Sequence, residues 1–276
     1  MTVQTALLQG AKILDESGIP AARLTAEVLL SHALGRERTY LYSYPEADIG
    51  DLAWLHYGRY LHERLHGKPT QYITRKQEFY GREFRVSPDV LIPRPETEHV
   101  IEQVLALNPR PSRIVDVGCG SGAIAVTLSL ELGCAVFATD ISPAAAAVAR
   151  VNAAALGATV HILVCDLLAP VGTHECDLVV SNPPYVPKSQ MESLQREVRD
   201  YEPVTALLAG EAGTEFYERL ADEGKRVLRP GGYIVLELGF SFSEPVQSIF
   251  GQGWEHISLL PDLAGIPRVF TARRTG

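Results

Sequence analysis

From residue 113 to residue 238, the chain alternates short runs of apolar, β-branched residues with segments of helical character. The β-rich runs cover residues 113–117, 135–139, 160–165, 178–180 and 233–238. Such alternation predicts an α/β fold, in which a mostly parallel sheet carries helices on both faces. Ligands of these sheets bind outside the carboxyl ends of the strands. The residues that follow each run are therefore the first candidates for a functional site.

The first 75 residues have a different, helical character. Apolar residues recur there at the spacing of one helix face, beginning with Leu7, Leu8, Ala11 and Leu14. A second helix is predicted from about Pro20 to Gly35, because proline suits the first helical position and glycine suits the end. A third helix is predicted over residues 52–65. These patterns indicate a small all-α region before the α/β region.

Between the two regions, residues 78–86 place apolar side chains on both sides of Gly81, which predicts a short hairpin or linker. A length of 276 residues also favours two domains over one. We therefore expect a helical domain over residues 1–75, a β-hairpin linker over residues 76–92 and a catalytic domain over residues 93–276.

The composition and the distribution of apolar residues indicate where the protein is located and which partners it has. No apolar run approaches the roughly 20 residues of a membrane span, and the first residues lack the basic and then apolar segments of a secretory signal. We expect a cytoplasmic protein with no membrane partner. A formal net charge of -8 opposes a broad nucleic-acid-binding surface, so no direct nucleic-acid contact is expected.

The four cysteines are Cys119, Cys134, Cys165 and Cys176. They form no CxxC pair and no cysteine–histidine spacing typical of zinc. The sequence therefore predicts reduced thiols, with neither a disulfide nor a metal site.

A glycine-rich loop follows the first β-rich run of the α/β region. Its residues are Gly118, Cys119, Gly120, Ser121 and Gly122, and they precede a predicted helix. Glycine allows a tight turn and a close approach of the backbone to a ligand. Asp140 ends the next run, where a carboxylate can accept both hydroxyl hydrogens of a ribose. Because Ser142 already offers a helix N-cap before Pro143, a capping role for Asp140 is less natural.

These features are compatible with S-adenosylmethionine and with NAD, since Gly118, Gly120 and Ala123 satisfy the relaxed dinucleotide pattern. Asp116 favours S-adenosylmethionine, because an acid at the strand end can receive the methionine ammonium but sits badly beside a pyrophosphate. Asp166, after the third run, is placed to accept from an adenine amino group. A solvated loop carboxylate is an equal alternative at that position.

The segment Asn182-Pro183-Pro184-Tyr185 follows the apolar run 177–181. Two prolines fix φ and remove two donors, which predicts a rigid turn with outward-facing acceptors. The NH2 of an amide or a base is a poor nucleophile because its lone pair is delocalised. The Asn182 side-chain oxygen and the Pro183 carbonyl can each accept one of its two hydrogens. These hydrogen bonds orient the lone pair and stabilise positive charge on the nitrogen. Tyr185 offers a flat face to the planar group, so Asn182, Pro183 and Tyr185 are the predicted catalytic residues.

On these residues the chain resembles the release-factor glutamine methyltransferases, the PrmC/HemK family, over nearly its whole length. Beyond the two motifs above, the resemblance rests on more specific segments at residues 91–98 (LIPRPETE), 201–203 (YEP) with Ala206 and Leu207, and 262–268 (DLAGIPR). It implies a seven-stranded, Rossmann-like methyltransferase domain preceded by a small helical domain that recognises the substrate. It also implies S-adenosylmethionine as cofactor and S-adenosylhomocysteine as product.

Carried over by position, the resemblance implies that the loop from Gly118 to Gly122 holds the methionine end and that Asp140 holds the ribose. Asp166 and Leu167 would lie beside the adenine. Leu167 is a departure, since many relatives have an aromatic residue there. The resemblance further implies that the substrate glutamine lies in the Gly-Gly-Gln loop of class I release factors and is held by Asn182, which also borders the cofactor, and by Pro183, Pro184 and Tyr185. Arg94 and Glu96 would shape the entrance, unless they form only an ion pair and a helix start.

Three alternatives stay open from the sequence. A DNA adenine N6-methyltransferase uses the same acceptor arrangement but needs a target-recognition module and a basic face, and this sequence indicates neither. A methyltransferase for a ribosomal-protein glutamine would share every motif. A non-catalytic interaction module on the same fold is disfavoured by the intact Asn182, Pro183 and Asp140.

Overall fold

The computed structural model describes residues 1–262 and 264–276. Leu263, which belongs to the segment 262–268, lies outside the described residues. The chain forms two compact units. The helical unit comprises residues 1–76 and 195–201, and the sheet unit comprises residues 77–194 and 202–276.

Helices and strands follow one another in the order that the alternating pattern predicts. The helices are α1 (Val3–Glu16), α2 (Ala22–Leu34), α3 (Arg38–Ser43), α4 (Asp51–Leu65), α5 (Thr70–Thr74), α6 (Glu98–Ala106), α7 (Ala123–Leu132), α8 (Pro143–Leu156), α9 (Arg196–Tyr201), α10 (Glu215–Val227) and α11 (Ser243–Ile249). Short 3-10 helices cover Pro95–Thr97, Lys188–Ser193 and Val204–Ala206. The strands are β1 (Lys76–Phe79), β2 (Arg82–Arg85), β3 (Ile114–Val117), β4 (Val136–Asp140), β5 (Val160–Val164), β6 (Cys176–Ser181), β7 (Val186–Pro187), β8 (Leu208–Gly210), β9 (Leu228–Glu237), β10 (Trp254–Pro261) and β11 (Pro267–Arg274).

The helical unit packs the apolar faces of α1, α2 and α4 around one core. Leu7 and Leu14 are buried as the periodicity predicts, whereas Leu8 is exposed. Helix α2 begins at Ala22 rather than near Pro20, because Ala21 adopts a left-handed φ of 49° and turns the chain before the helix starts. Helices α1 and α4 approach closely, since a Cβ on Gly10 would lie 1.9 Å from the Tyr57 hydroxyl oxygen.

Seven strands form the central sheet, in the order β10-β11-β9-β6-β3-β4-β5. Strands β9, β6, β3, β4 and β5 are parallel, and β11 and β10 add antiparallel pairs at one edge. Helices α6, α7 and α8 cover one face, and α10 and α11 cover the other. The predicted mostly parallel sheet with helices on both faces is confirmed.

The β1–β2 hairpin lies in the sheet unit from residue 77 onward. Its turn uses Tyr80 and Gly81, both with positive φ, as a tight two-residue hairpin turn requires. Phe79 and Phe84 are fully buried against each other in an edge-to-face pair with centroids 6.0 Å apart. Asn152 of α8 accepts from the Arg85 amide at 2.8 Å and donates to its carbonyl at 3.0 Å. The hairpin is therefore anchored to the sheet unit by both apolar packing and hydrogen bonds.

Among the described residues, no helix combines the length and the apolarity needed to cross a membrane.

Two hydroxyl groups of α7 differ in whether they have hydrogen-bond partners. Removal of one should stabilise the fold, and removal of the other should destabilise it. The buried Thr127 hydroxyl has no hydrogen-bond partner among the described residues. The Ser129 hydroxyl donates to the Cys134 carbonyl at 2.9 Å and accepts from the Thr159 amide at 3.0 Å. Thr127→Val should raise the free energy of unfolding by about 1 kcal/mol, because it removes an unsatisfied polar group and keeps the side-chain shape.

Ser129→Ala is the matched control and should lower the same free energy by about 1 kcal/mol or more. Urea unfolding of both variants and the wild-type protein measures the difference. An unfolding midpoint of Thr127→Val at or below that of the wild type would contradict the prediction.

Candidate active site

The carboxyl ends of β3 and β6 form the centre of the site. From β3 the chain continues to β4 and β5 on one side, whereas β6 and β9 lie on the other, so the strand order reverses at this point. Val117 lies opposite Ser181 in the parallel register, and the Ser181 hydroxyl donates to the Val117 carbonyl at 2.7 Å. Gly118 and Asn182 are the next residues of the two strands. The sheet therefore brings the glycine loop and the Asn-Pro-Pro-Tyr segment side by side.

The glycine loop is held by hydrogen bonds from its backbone amides to the end of β4. The amides of Gly118 and Cys119 donate to the Thr139 carbonyl at 2.8 and 2.9 Å. Gly118, Gly120 and Gly122 have φ values of 69°, 53° and 81°, in the left-handed region that favours glycine. A Cβ on Gly122 would also lie 3.2 Å from a Cβ of α8. The loop therefore needs glycine for its conformation and, at its last position, for the packing of α7 against α8.

Asp140 connects the glycine loop to the start of α8. Its Oδ2 accepts from the Gly120 amide at 2.8 Å, and its Oδ1 accepts from the Ser142 amide at 2.8 Å. The Ser142 hydroxyl caps α8 by accepting from Ala145, as the sequence predicts. Each carboxylate oxygen has a further lone pair, and Asp140 lines the cavity described below. Asp140 can therefore order the loop and accept from a ligand at the same time.

Asp116 contacts the start of α7. Its side chain is buried, and its Oδ2 accepts from the Ala125 amide at 3.0 Å. Burial, together with the nearby charge of Asp140, raises the pKa of Asp116 to about 7, against the lowering effect of the hydrogen bond from the Ala125 amide. The carboxylate joins β3 to α7, and Asp116 is not among the residues that line the cavity. A contact between Asp116 and a ligand ammonium stays a prediction.

A cavity of about 390 Å³ opens at the carboxyl ends of the parallel strands. This volume falls within the range of small-molecule sites, roughly 300–1,000 Å³. Most of the residues predicted from the sequence line it, namely Gly118, Cys119, Gly120, Ser121, Asp140, Asp166, Leu167, Asn182, Pro183 and Pro184. Gly122 and Tyr185 were also predicted for the site but are not part of this lining.

Tyr185 packs into the sheet unit instead. A Cβ on Gly239 would lie 2.6 Å from the Tyr185 ring, so the ring rests directly on that glycine. Burial raises the pKa of Tyr185 to about 12, with a further contribution from the charge of Glu237. Stacking of Tyr185 on a substrate amide stays a prediction.

Helix α10 contributes two cavity residues that the sequence reasoning missed. Phe216 and Arg219 both line the cavity, together with Asp166 and Leu167. Arg219 Nη2 donates to Asp166 Oδ2 at 2.8 Å. The sequence does show that Phe216 and Arg219, three residues apart, lie on one face of a helix. No local pattern, however, relates that face to the loop at Asp166 and Leu167.

Arg94 lines the cavity and forms an ion pair with Glu202. The Arg94 Nη2–Glu202 Oε1 distance is 2.5 Å, and Arg94 also donates to the Ile92 carbonyl at 3.1 Å. Pro203, the next residue, lines the same cavity. The segments 91–98 and 202–207 are thus joined at the cavity by a charged pair. This finding agrees with both interpretations of Arg94, an ion pair and a residue at the entrance.

Asn182 has a defined hydrogen-bond partner through its side-chain nitrogen. Asn182 Nδ2 donates to Thr97 Oγ1 at 3.3 Å, and Thr97 Oγ1 donates to Glu237 Oε2 at 2.5 Å. Thr97 and Glu237 are buried, whereas Asn182 is partly exposed to the cavity. The amide nitrogen is therefore engaged with the protein, and the side-chain oxygen is left for another partner.

The sheet order, the glycine loop after β3, the carboxylate after β4 and the Asn-Pro-Pro-Tyr segment after β6 together define a methyltransferase of the seven-stranded class. A solved structure, the crystal structure of a methyltransferase from Pyrococcus furiosus, is similar to this chain with a TM-score of 0.53. The match covers 79% of this chain and 100% of that chain at 17% sequence identity, so it supports the fold alone.

Two family matches cover the two parts of the chain. Residues 5–74 match the PrmC N-terminal domain, and residues 97–198 match the methyltransferase small domain. A release factor glutamine methyltransferase from Koribacter versatilis (strain Ellin345) is 45% identical over 99% of this chain and 99% of its own length. Another, from Geobacter sulfurreducens, is 40% identical over 94% of this chain and 92% of its own length. The chain belongs to the release factor glutamine methyltransferase family.

Proposed function

We propose that this protein transfers a methyl group from S-adenosylmethionine to the side-chain amide nitrogen of the glutamine in the Gly-Gly-Gln motif of peptide chain release factors. One observation carries the proposal: Asn182 keeps its side-chain oxygen available at the cavity while its nitrogen is engaged by Thr97. The names of the similar proteins support the choice of substrate. A substrate of this kind also implies a cytoplasmic location.

The volume of the cavity and the chemistry of its lining suit the cofactor. The glycine loop presents backbone at the N-terminus of α7, which suits the methionine end of the ligand. Asp140 has lone pairs for the two ribose hydroxyls. Leu167 and Phe216 offer apolar surface for an adenine, and Asp166 offers an acceptor for its amino group. When bound, S-adenosylmethionine supplies an electrophilic methyl group on a sulfonium.

The Asn-Pro-Pro-Tyr segment orients the substrate amide. The Asn182 oxygen and the Pro183 carbonyl each accept one hydrogen of the glutamine NH2, which turns its lone pair toward the methyl group. Orientation of this kind lowers the barrier, and the two acceptors stabilise the positive charge that develops on nitrogen. Because the nitrogen becomes acidic only as the methyl group arrives, water can remove the proton afterwards.

The helical unit is proposed to recognise the release factor. It exposes several large apolar side chains, among them Leu52, Leu55, Tyr42 and Tyr44. Exposed apolar groups mark a protein contact surface where they form a contiguous patch, and this proposal requires these four side chains to belong to one. The division into a recognition domain (residues 1–75), a hairpin linker (residues 76–92) and a catalytic domain (residues 93–276) belongs to the same proposal.

Substrate class can be tested directly. The protein is incubated with labelled S-adenosylmethionine and one of three acceptors: a purified release factor, a glutamine-containing ribosomal protein or duplex DNA. Mass spectrometry should locate the label on the Gly-Gly-Gln glutamine, and a release factor with Ala at that glutamine should remain unlabelled. Label on the ribosomal protein or on adenine, without label on the release factor, would replace the proposal by one of those alternatives.

Asn182→Ala should reduce kcat by about 100-fold, because it removes one of the two acceptors that act in the transition state. The Kd of S-adenosylmethionine should change little. Asn108→Ala is a matched control, since Asn108 also precedes a proline but is exposed and lies outside the cavity lining. Steady-state kinetics and calorimetry measure the two constants, and a near-normal kcat for Asn182→Ala would refute the role of Asn182.

Asp140→Ala should raise the Kd of S-adenosylmethionine by about 10-fold or more. The substitution removes the ribose acceptor and also frees the Gly120 amide that Asp140 holds. Asp222→Ala is the control, because the Asp222 side chain is 83% exposed on α10. An unchanged Kd for Asp140→Ala by calorimetry would contradict the ribose assignment.

A further inference from the structure

Thr97 is the last residue of the 3-10 helix Pro95–Thr97 and directly precedes α6, with helical φ and ψ values of -65° and -19°. Its side chain makes no capping hydrogen bond to the start of α6. Here the hydroxyl donates to Glu237 at 2.5 Å and accepts from Asn182 at 3.3 Å. The Thr97 side chain therefore connects Asn182 and Glu237, which are far apart in the chain.

Glu237 is held beside Asn182 by the sheet. Strands β6 and β9 are parallel, and Ser181 lies opposite Leu236, so Asn182 and Glu237 follow at the same edge. The Tyr217 hydroxyl donates to the Glu237 carbonyl at 3.0 Å, which fixes the main chain there. The Glu237 side chain is buried. Its location is therefore determined by the register of the sheet and not by a mobile loop.

Asn182, Thr97 and Glu237 form a row of hydrogen bonds, and counting donors and acceptors shows which group donates to which. An ionised carboxylate can only accept, so the single hydrogen of the Thr97 hydroxyl points to Glu237. The Thr97 oxygen can then only accept from Asn182, which must present its NH2 to Thr97. The Asn182 oxygen is consequently turned toward the cavity that the residue lines. A reversed amide would place its own N–H donors against one hydrogen of the substrate NH2 and leave the Pro183 carbonyl as the remaining acceptor of this pair.

We propose that Glu237 and Thr97 are positioning residues, which fix the side-chain amide of Asn182 with its oxygen toward the substrate amide. The inference rests on the proposed function, because it gives Asn182 the acceptor role described there. Neither positioning residue touches the reacting atoms. Their effect is to keep one of two amide orientations, which differ only by exchange of oxygen and nitrogen.

The surroundings of Glu237 make its carboxylate an unfavourable choice for stability alone. Burial is the main cause that raises the pKa of Glu237 to about 7, and the charge of Glu96 acts in the same direction, whereas the hydrogen bond from Thr97 and the guanidinium groups of Arg268 and Arg94 act to lower this pKa. Both arginines form their ion pairs elsewhere, with Asp262 and Glu202 respectively. A buried charge without an ion-pair partner destabilises a fold relative to a neutral residue of similar shape. Perturbed pKa values cluster at functional sites. Unlike Asp116, which bonds a backbone amide of α7, Glu237 is linked through Thr97 to Asn182, a residue that lines the cavity.

The raised pKa sets the direction of the pH effects. Above about pH 7 Glu237 is ionised and the row has one direction. Below that pH its carboxyl group carries a hydrogen that can be donated to Thr97, so the direction is lost and kcat should fall. Stability changes in the opposite sense, because the folded protein holds this proton more tightly than the unfolded chain. The contribution of Glu237 to stability is greatest below pH 4.5 and decreases as the pH rises to about 7.

Glu237→Gln tests the proposal with little change of shape. Glutamine can accept from or donate to Thr97, so it leaves the direction undefined. At pH 8 we expect kcat to fall by about 10-fold or more, the factor that corresponds to one hydrogen bond. The Kd of S-adenosylmethionine should not increase, and the thermal unfolding temperature should not decrease. The decrease of kcat below pH 7 should disappear.

Thr97→Val should reproduce the loss of kcat, and Thr97→Ser should restore most of it because the hydroxyl is retained. Thr127→Val is the matched control, since it makes the same chemical change in α7 outside the cavity lining and should leave kcat unchanged. All variants are assayed as the full chain with purified release factor as substrate. The wild-type protein is assayed first over the same pH range.

The outcomes separate this inference from the proposed function. A wild-type protein that methylates release factor, with Glu237→Gln or Thr97→Val at wild-type kcat, overturns the positioning role alone. A joint loss of kcat, cofactor affinity and unfolding temperature in Glu237→Gln also overturns it, since that pattern indicates a merely structural residue. A wild-type protein without activity on release factor overturns both proposals.

Discussion

The parallel pairing of β3 with β6 is the constraint on which the site depends. Because Val117 lies opposite Ser181, the next residues of both strands begin the two loops that line the cavity. A shift of one residue in this register would turn the side chains of one strand to the opposite face of the sheet and separate the loops from their present partners. The reversal of strand order beside β3 opens the crevice between these loops. Loop sequence alone would not create that space.

Three carboxylates lie at or next to the carboxyl ends of β3, β4 and β9, and their surroundings differ. Asp140 is partly exposed and accepts from two backbone amides, so it orders the glycine loop and still has lone pairs for a ligand. Asp116 is buried, and burial raises its pKa to about 7 while it anchors α7 to β3. Glu237 is also buried, and its hydroxyl partner leads to Asn182. The hydrogen-bond donors and the amount of water around each carboxylate thus decide whether it faces the cavity or joins buried parts of the fold.

The sequence predicted the elements whose signals are local. The strands of the parallel sheet, the glycine loop, Asp140 and the Ser142 cap could be recognised because each depends on neighbouring residues. The predictions were less accurate where contacts between distant parts of the chain determine the local structure or the exposure of a residue. Helix α2 starts at Ala22 rather than near Pro20, and Leu8 is exposed although it fits the apolar periodicity. Phe216 and Arg219 were missed because their helix face becomes part of the cavity only after α10 packs on the sheet.

By itself, the sequence determined the class of fold, the order of the motifs and the chemistry that those motifs can perform, because periodicity, glycine and proline act on the backbone within a few residues. Tertiary structure alone decided which groups meet. Thr97 and Glu237 are 140 residues apart, and their hydrogen bond exists only because β9 pairs beside β6 and α6 begins above both. The orientation of the Asn182 amide follows from that hydrogen bond, since only the finished fold determines which of its two polar ends finds a partner inside the protein.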